Sequence, residues 1–252
     1  MTFRNLELSG KTALITGGST GIGLETARLL KGRGAEVLIT GRSSDRLADA
    51  AAAVPGLKTR VSDAGSSEDI EALAAWIGAE TAGLDILVLN AGVTPFAPLG
   101  AWDAAKIDDV FGINVRGPWL TVQALTTVLN EDASIINIGS IAGDRGSPAT
   151  GVYGATKAAL SLMTKALVPT LSDRRIRVNT VSPGPVETPA WSKTGLPDEV
   201  IAQVKTDRAA ANPLKRYGRP EEVAETIAFL ASPAASYVNG VELFVDGGLM
   251  AS

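Results

Sequence analysis

The chain has 252 residues, 45% hydrophobic and 20% charged, a composition that can bury one large α/β core and excludes a disordered chain. A formal net charge of −4 gives no basic surplus with which to displace counterions from a phosphate backbone, so nucleic acid is not an expected partner. With no Cys and no His, disulfides, thiolate nucleophiles, histidine bases and the common zinc sites are excluded, which leaves Ser, Tyr, Lys, Asn and carboxylates for any catalysis and no metal.

The opening MTFRNLELSGK lacks the apolar core of a signal peptide, and no apolar run approaches the roughly 18 residues of a spanning helix. The default expectation is a cytoplasmic protein with no membrane partner. Ala13, Leu14 and Ile15 then read as a buried strand, and Ile22, Leu24, Ala27, Leu29 and Leu30 fall largely at helical spacing. Between them, GGSTGIG packs Gly17, Gly18, Gly21 and Gly23 into one strand-to-helix turn, more glycine than a cap or tight turn requires. The helix points unpaired N–H groups and its positive end at whatever lies above the turn, and glycine lets an anion such as a diphosphate come close. The spacing, G-x-x-x-G-x-G, differs from the usual G-x-G-x-x-G, so the dinucleotide argument holds by mechanism and a purely structural turn stays open here.

The second strand, Glu36 to Thr40, ends at Gly41-Arg42-Ser43. Folds that prefer NAD place an acidic residue there to accept from the ribose 2′-hydroxyl. Here Gly41 takes that place, and Arg42 offers bidentate, charge-assisted bonds to a 2′-phosphate, with Ser43 a second donor. One or two such bonds predict roughly 10- to 1,000-fold preference for NADP(H) over NAD(H). The competing reading makes Arg42 a solvated turn residue and Asp45 a helix cap, with Ser44 or Asp45 touching the ribose.

Further strands are expected at 59–63, 84–90, 134–140, 176–182 and 242–248, with helices between, among them Asp45 to Val54, Ser67 to Thr81 and Val152 to Leu171. Short apolar strands alternating with helices predict one doubly wound Rossmann domain over residues 1–252, a seven-stranded parallel sheet with helices on both faces. Ligands bind above the carboxyl ends of such strands, where Asp63, Asn90-Ala91-Gly92, Ser140 and Ser182-Pro183-Gly184 fall. Each by itself is an ordinary strand terminus.

The sharpest local signal is YGATK, Tyr153 to Lys157, which sets a phenol and an ammonium one helical turn apart. A nearby cation favours the phenolate and moves a Tyr toward a useful acid/base range. Of the three tyrosines, Tyr217 and Tyr237 have Glu221 and Val241 at the same offset, so Tyr153 is the acid/base candidate by elimination. A core-packed Tyr beside a solvated Lys is the plain alternative.

Together TGGSTGIG, LNAG (Leu89 to Gly92), Asn114 in INVRG, Ser140 in NIGS, YGATK and SPGPVETP (Ser182 to Pro189) resemble the short-chain dehydrogenase/reductase family, collinearly from about Gly10 onward. The ending SYVNGVELFVDGG is similar to bacterial members that reduce ketones or 3-oxoacyl thioesters, commonly as homotetramers. The resemblance implies that Tyr153 donates the proton, Lys157 lowers its pKa and meets the nicotinamide ribose, Ser140 polarises the carbonyl and Asn114 maintains a water relay to Lys157. It also implies that Gly17, Ser19, Gly21, Ile22 and Gly23 lie along the diphosphate and adenosine, and Asp63 and Ala64 near the adenine. Asn90, Ala91 and Gly92 would follow the ribose, with Pro183, Gly184, Val186 and Thr188 around the nicotinamide. Ser182 departs from the Asn that often precedes Pro-Gly in the family.

The implied activity is NADP(H)-dependent transfer of hydride to and from a ketone or secondary alcohol. The alternatives are a 3-oxoacyl-(acyl-carrier-protein) reductase and, more remotely, a dinucleotide-binding protein without catalysis. A free, mostly apolar ketone is expected, because TTVLNEDAS (Thr126 to Ser134) puts Glu131 and Asp132 where an acidic carrier would need cations. Residues 187–212, with Trp191 and Leu196, are the expected substrate lid. Arg145 is expected to pair with Asp144 or face solvent, a substrate carboxylate being the other option.

Overall fold

The computed structural model describes residues 6–189 and 197–252. Its strands are β1 (Thr12–Thr16), β2 (Glu36–Gly41), β3 (Lys58–Val61), β4 (Leu84–Leu89), β5 (Leu129–Ile138), β6 (Arg177–Pro183) and β7 (Glu242–Val245). They form one parallel sheet in the order β3-β2-β1-β4-β5-β6-β7. The helices that matter for the site are α1 (Gly21–Gly32), α2 (Ser44–Ala53), α3 (Ser67–Glu80), α4 (Ala104–Phe111), α5 (Gly117–Leu125), α6 (Gly151–Leu171), α7 (Asp198–Ala211) and α8 (Pro220–Ala231).

Period-two alternation in the apolar strands sorts the side chains into two cores. Ala13, Ile15, Val37, Ile39, Ile86, Val88, Ile136 and Ile138 face Ala27 and Leu30 of α1, Leu47 and Ala50 of α2, and Val223 and Ile227 of α8. Leu14, Leu38, Leu87, Leu89, Ile135 and Val178 face Leu73 and Ile77 of α3, Val122 and Leu125 of α5, and Leu160, Met163 and Leu167 of α6. Helices therefore cover both faces, as expected. Because β1 sits between β2 and β4, the winding reverses there and opens a crevice at the carboxyl ends of the strands.

Two departures matter. The strand expected from Ser134 begins at Leu129, and its register with β4 slips between Leu84 and Ile86, so β5 opens on the polar residues Asn130, Glu131 and Asp132. Glu131 and Asp132 consequently lie at the amino end of β5, on the rim opposite the crevice, where both pair with Arg175 at 2.8 Å. Their acidity does not bear on docking at the crevice mouth, and that part of the case against a carrier substrate is removed. The second departure lies between α4 and α5, which run on through one π-helical turn, Gly112–Arg116.

No described helix is long and apolar enough to cross a membrane. Trp191 and Leu196 of the expected lid lie outside the described residues; α7 makes up most of its described part.

Candidate active site

A cleft of about 860 Å³ runs along the carboxyl rim of the sheet. The catalytic and cofactor residues of the main reading all line it except Gly23 and Asn114, which are buried behind its wall; Ser44 and Asp45, the alternative ribose contacts, do not line it.

The glycine turn forms the floor at one end. Gly17 has φ +64°, and a Cβ there would come within 2.9 Å of Ala91 Cα, so position 17 must both turn left-handed and let β4's loop approach. Helix α1 starts with Thr20 at its N-cap, no side chain capping it and no acidic residue in its first turn. Its orphan N–H groups and the positive end of its dipole are thus available to an anion. The turn is braced from below. Asn90 Nδ2 donates to the carbonyls of Thr16 (3.1 Å) and Gly17 (2.8 Å), so this side chain is directed into the turn. Thr16 Oγ1 accepts from the N–H groups of Asn90 and Ala91, both at 3.1 Å. Thr16→Val leaves these two N–H groups without their acceptor and is expected to destabilise the fold by about 1 to 3 kcal/mol, read as a lower denaturant midpoint.

Beyond β2, Arg42 is exposed on the cleft and Ser43 caps α2, accepting from Arg46 N–H at 3.3 Å. Ser43 rather than Asp45 is therefore the cap. Ser44 bonds Asp45 at 3.2 Å, and neither lines the cleft. Arg46, one turn into α2, does line it and adds a second guanidinium that sequence reading missed. Asp63 Oδ1 accepts from Gly65 N–H at 2.9 Å, which shapes the loop beneath the adjoining wall.

At mid-cleft, Ser140 ends the β5 run and Tyr153 and Lys157 project from α6. The Ser140 hydroxyl accepts from Ala142 N–H at 3.2 Å, which leaves its own proton to donate. Lys157 is 6% exposed; its ammonium donates to the Ile138 carbonyl at 2.6 Å and lies 5.7 Å from the Tyr153 ring centroid. Burial pulls the Lys157 pKa down, and the Tyr153 phenolate opposes that shift. Asn114 sits in the π turn, fully buried. Its Oδ1 accepts from Val93 N–H and its Nδ2 donates to the Val93 carbonyl, both at 2.9 Å, and to Thr156 Oγ1 at 3.1 Å. Thr156 in turn donates to the Tyr153 carbonyl at 2.7 Å. This chain ties the loop after β4 to the α6 turn that carries Tyr153 and Lys157. Thr156 was hidden in YGATK as a spacer.

Phe96, Arg145, Arg208, Tyr217 and Leu249 also line the cleft, the Arg208 guanidinium lying 5.7 Å from the Phe96 ring centroid. Arg145 is exposed, the solvent-facing one of the two expected outcomes, and no ion pair between it and Asp144 is found among the described residues. Asp144 instead feels burial and Glu242, which raise its pKa, and Lys165, which lowers it. Arg145 lines the cleft five residues beyond Ser140. Among the described residues no cluster of carboxylates could hold a metal.

A family profile described as Enoyl-(Acyl carrier protein) reductase matches residues 17–250. Cis-4-hydroxycyclohexanecarboxylate dehydrogenase of Sinomonas cyclohexanicum is 40% identical over 250 residues, covering 96% of this chain and 97% of its own. The 3-oxoacyl-[acyl-carrier-protein] reductase FabG of Thermotoga maritima is 35% identical over 251 residues, covering 97% and 100%. A solved structure titled short chain dehydrogenase/reductase family protein superposes with TM-score 0.87 at 42% identity, covering 98% of this chain and 100% of that one.

Proposed function

The chain belongs to the short-chain dehydrogenase/reductase family, and from that membership and the cleft's geometry we propose an NADP(H)-dependent oxidoreductase that interconverts a free ketone and its secondary alcohol. The observation that carries the reading is the convergence of two hydroxyls, Ser140 and Tyr153, and the buried Lys157 in the cleft that also holds the uncapped start of α1. The uncapped helix start and the glycines fit a dinucleotide's diphosphate. A bound nicotinamide supplies or accepts the hydride.

The chain's own residues do the rest. Ser140 and Tyr153 donate hydrogen bonds to the substrate oxygen as negative charge develops there, and Tyr153 passes its proton to that oxygen. Lys157 keeps a positive charge beside the phenol and stabilises the phenolate left behind. Asn114 and Thr156 hold the two in place. The test is nicotinamide absorbance with NADPH or NADH and a panel of ketones and alcohols. No turnover with any of them would favour a binding-only protein.

The 3-oxoacyl carrier reading is kept as the second, on the Thermotoga relative's name and the arginines at the mouth. Reduction of a 3-oxoacyl carrier well above that of free ketones would establish it.

NADP(H) preference follows from Arg42 and Ser43 where an acid would select NAD. Arg42→Ala is expected to lower the ratio of kcat/KM for NADPH over NADH by about tenfold or more, the worth of one charged hydrogen bond. Equal use of both cofactors by the wild type, or an unchanged ratio in the variant, would defeat the assignment. We also propose a homotetramer, for which Phe111, Trp119 and Leu162 offer exposed apolar surface on α4, α5 and α6.

A further inference from the structure

Helix α6 carries Tyr153 and Lys157, while Ser140 follows the end of β5, so the site depends on how that helix is fixed against the sheet. Apolar packing alone tolerates small slides, because the hydrophobic effect has no direction. Near the site the sheet-facing stripe of α6 is polar instead. Lys157, Ser161 and Thr164 recur at i, i+4 and i+7, one helix face, and each is bonded to a strand. The Lys157 ammonium donates to the Ile138 carbonyl of β5 at 2.6 Å. Thr164 accepts from Asn137 Nδ2 of β5 and shares a hydrogen bond with Thr180 of β6, both at 2.7 Å. Ser161 donates to the Glu242 carboxylate of β7.

Glu242 also accepts from the Ser182 hydroxyl, so one carboxylate takes a hydrogen bond from α6 and another from the end of β6. Ser182 is fully buried and packs against the backbone that leads into Ser140: a Cβ at Gly139 would stand 2.2 Å from the Ser182 Oγ. The departure from Asn at position 182 thus has a partner, Glu242. Burial and the Glu242 charge both raise the Asp144 pKa, which places the carboxylate within electrostatic reach of the turn after Ser140. Hydrogen-bonded groups contribute little more stability than apolar groups of the same shape, but they add direction.

We propose that Glu242, acting through Ser161 and Ser182, is a positioning residue for the reaction: it sets where α6, with Tyr153 and Lys157, stands relative to the strand end that carries Ser140. This rests on the oxidoreductase reading and deepens it. Two hydroxyls must reach one substrate oxygen, one from the helix and one from the strand, and an error of about 1 Å between such groups costs on the order of 100-fold in rate. Glu242 does not line the cleft and acts only through the elements it joins.

The test uses the ketone that the wild type reduces best. Glu242→Leu, which removes both acceptors, is expected to lower kcat by about 10- to 100-fold while KM for the ketone and NADPH affinity stay within a few-fold. Glu242→Gln keeps the shape and can bond both serines, its amide oxygen accepting from one and its NH₂ donating to the other, so it should recover most of that loss. Ser182→Ala should show a smaller loss of the same kind and add little to Glu242→Leu. In a Ser140→Ala background Glu242→Leu should cost no more than a few-fold, because the alignment it serves is already gone. Hydrogen exchange reads the clamp without turnover. The Ala142 and Gly143 N–H groups, which bond Ser140 at 3.2 and 2.9 Å, should exchange faster in Glu242→Leu while those of α1 do not change. Thermal midpoints show whether each variant folds, and if Glu242→Leu does not, the same readouts on Ser182→Ala decide. A lowered midpoint with kcat unchanged, a loss that Glu242→Gln does not recover, or a loss undiminished in Ser140→Ala would overturn the proposal. A wild type that reduces no ketone removes the oxidoreductase reading instead; exchange at Ala142 and Gly143 then still decides the clamp, faster rates supporting it and unchanged rates overturning it.

Discussion

Replacing Tyr153 by Phe is expected to lower kcat for ketone reduction by about three orders of magnitude while leaving dinucleotide affinity within a few-fold of wild type. The hydroxyl is asked to do two things at the substrate oxygen: donate a hydrogen bond as charge develops, and deliver a proton. Loss of one oxyanion donor costs about 10²- to 10³-fold and loss of a general acid about 10²- to 10⁴-fold, and one atom performing both gives a loss in the overlap rather than a product. No other group can take over. An aliphatic hydroxyl such as that of Ser140 is a far weaker acid than a phenol, and the chain contains no His or Cys. Lys157 is engaged with the Ile138 carbonyl at 2.6 Å. The ring itself stays, so the 5.7 Å contact between the Lys157 ammonium and the aromatic face persists, and the variant should fold. Single-turnover reduction and NADPH fluorescence titration separate the two readouts. Turnover within a few-fold of wild type would remove Tyr153 from the mechanism.

How far the site was legible depended on whether a residue's neighbours were near in sequence. The glycine turn, YGATK and the strand-end residues carry their geometry locally: a strand terminus or one helical turn is enough to place them. So the order of strands and helices and most of the cleft wall could be read. Asn114 could be read as a motif residue, but the π turn that buries it could not, because nothing in GINVR, Gly112 included, distinguishes a π turn from a continuing α-helix. Thr156 works only through Asn114, 42 positions away, and Tyr217 lines the cleft only because its segment folds back onto α7. The strand containing Glu131 and Asp132 was misplaced for the opposite reason. Polar residues at a bulged strand start look like a loop, and only pairing with β4 shows that they sit on the far rim.

Gly23→Ala is expected to weaken dinucleotide binding by about 100-fold or more, although Gly23 does not line the cleft. A Cβ at position 23 would stand 2.5 Å from the Gly17 carbonyl oxygen, 2.6 Å from Asn90 Nδ2 and 3.0 Å from Gly18 Cα. It would fall on the hydrogen bond from Asn90 to Gly17, 2.8 Å long, with backbone on two sides and a braced amide on the third. None of these can move cheaply. Either Asn90 releases both carbonyls, or the first turn of α1 lifts away from β1 and carries its N–H groups out of line with the diphosphate. Losing one or two N–H hydrogen bonds to a charged diphosphate costs on the order of 100-fold in affinity. Gly32, at the other end of the same helix, provides the control: a Cβ there meets nothing within 4 Å. Gly32→Ala should therefore keep wild-type affinity and add about 0.5 to 1 kcal/mol of stability through helix propensity. Fluorescence titration with NADPH and thermal midpoints for the two variants decide the matter. Affinity within a few-fold of wild type in Gly23→Ala would mean that the α1 start does not hold the diphosphate.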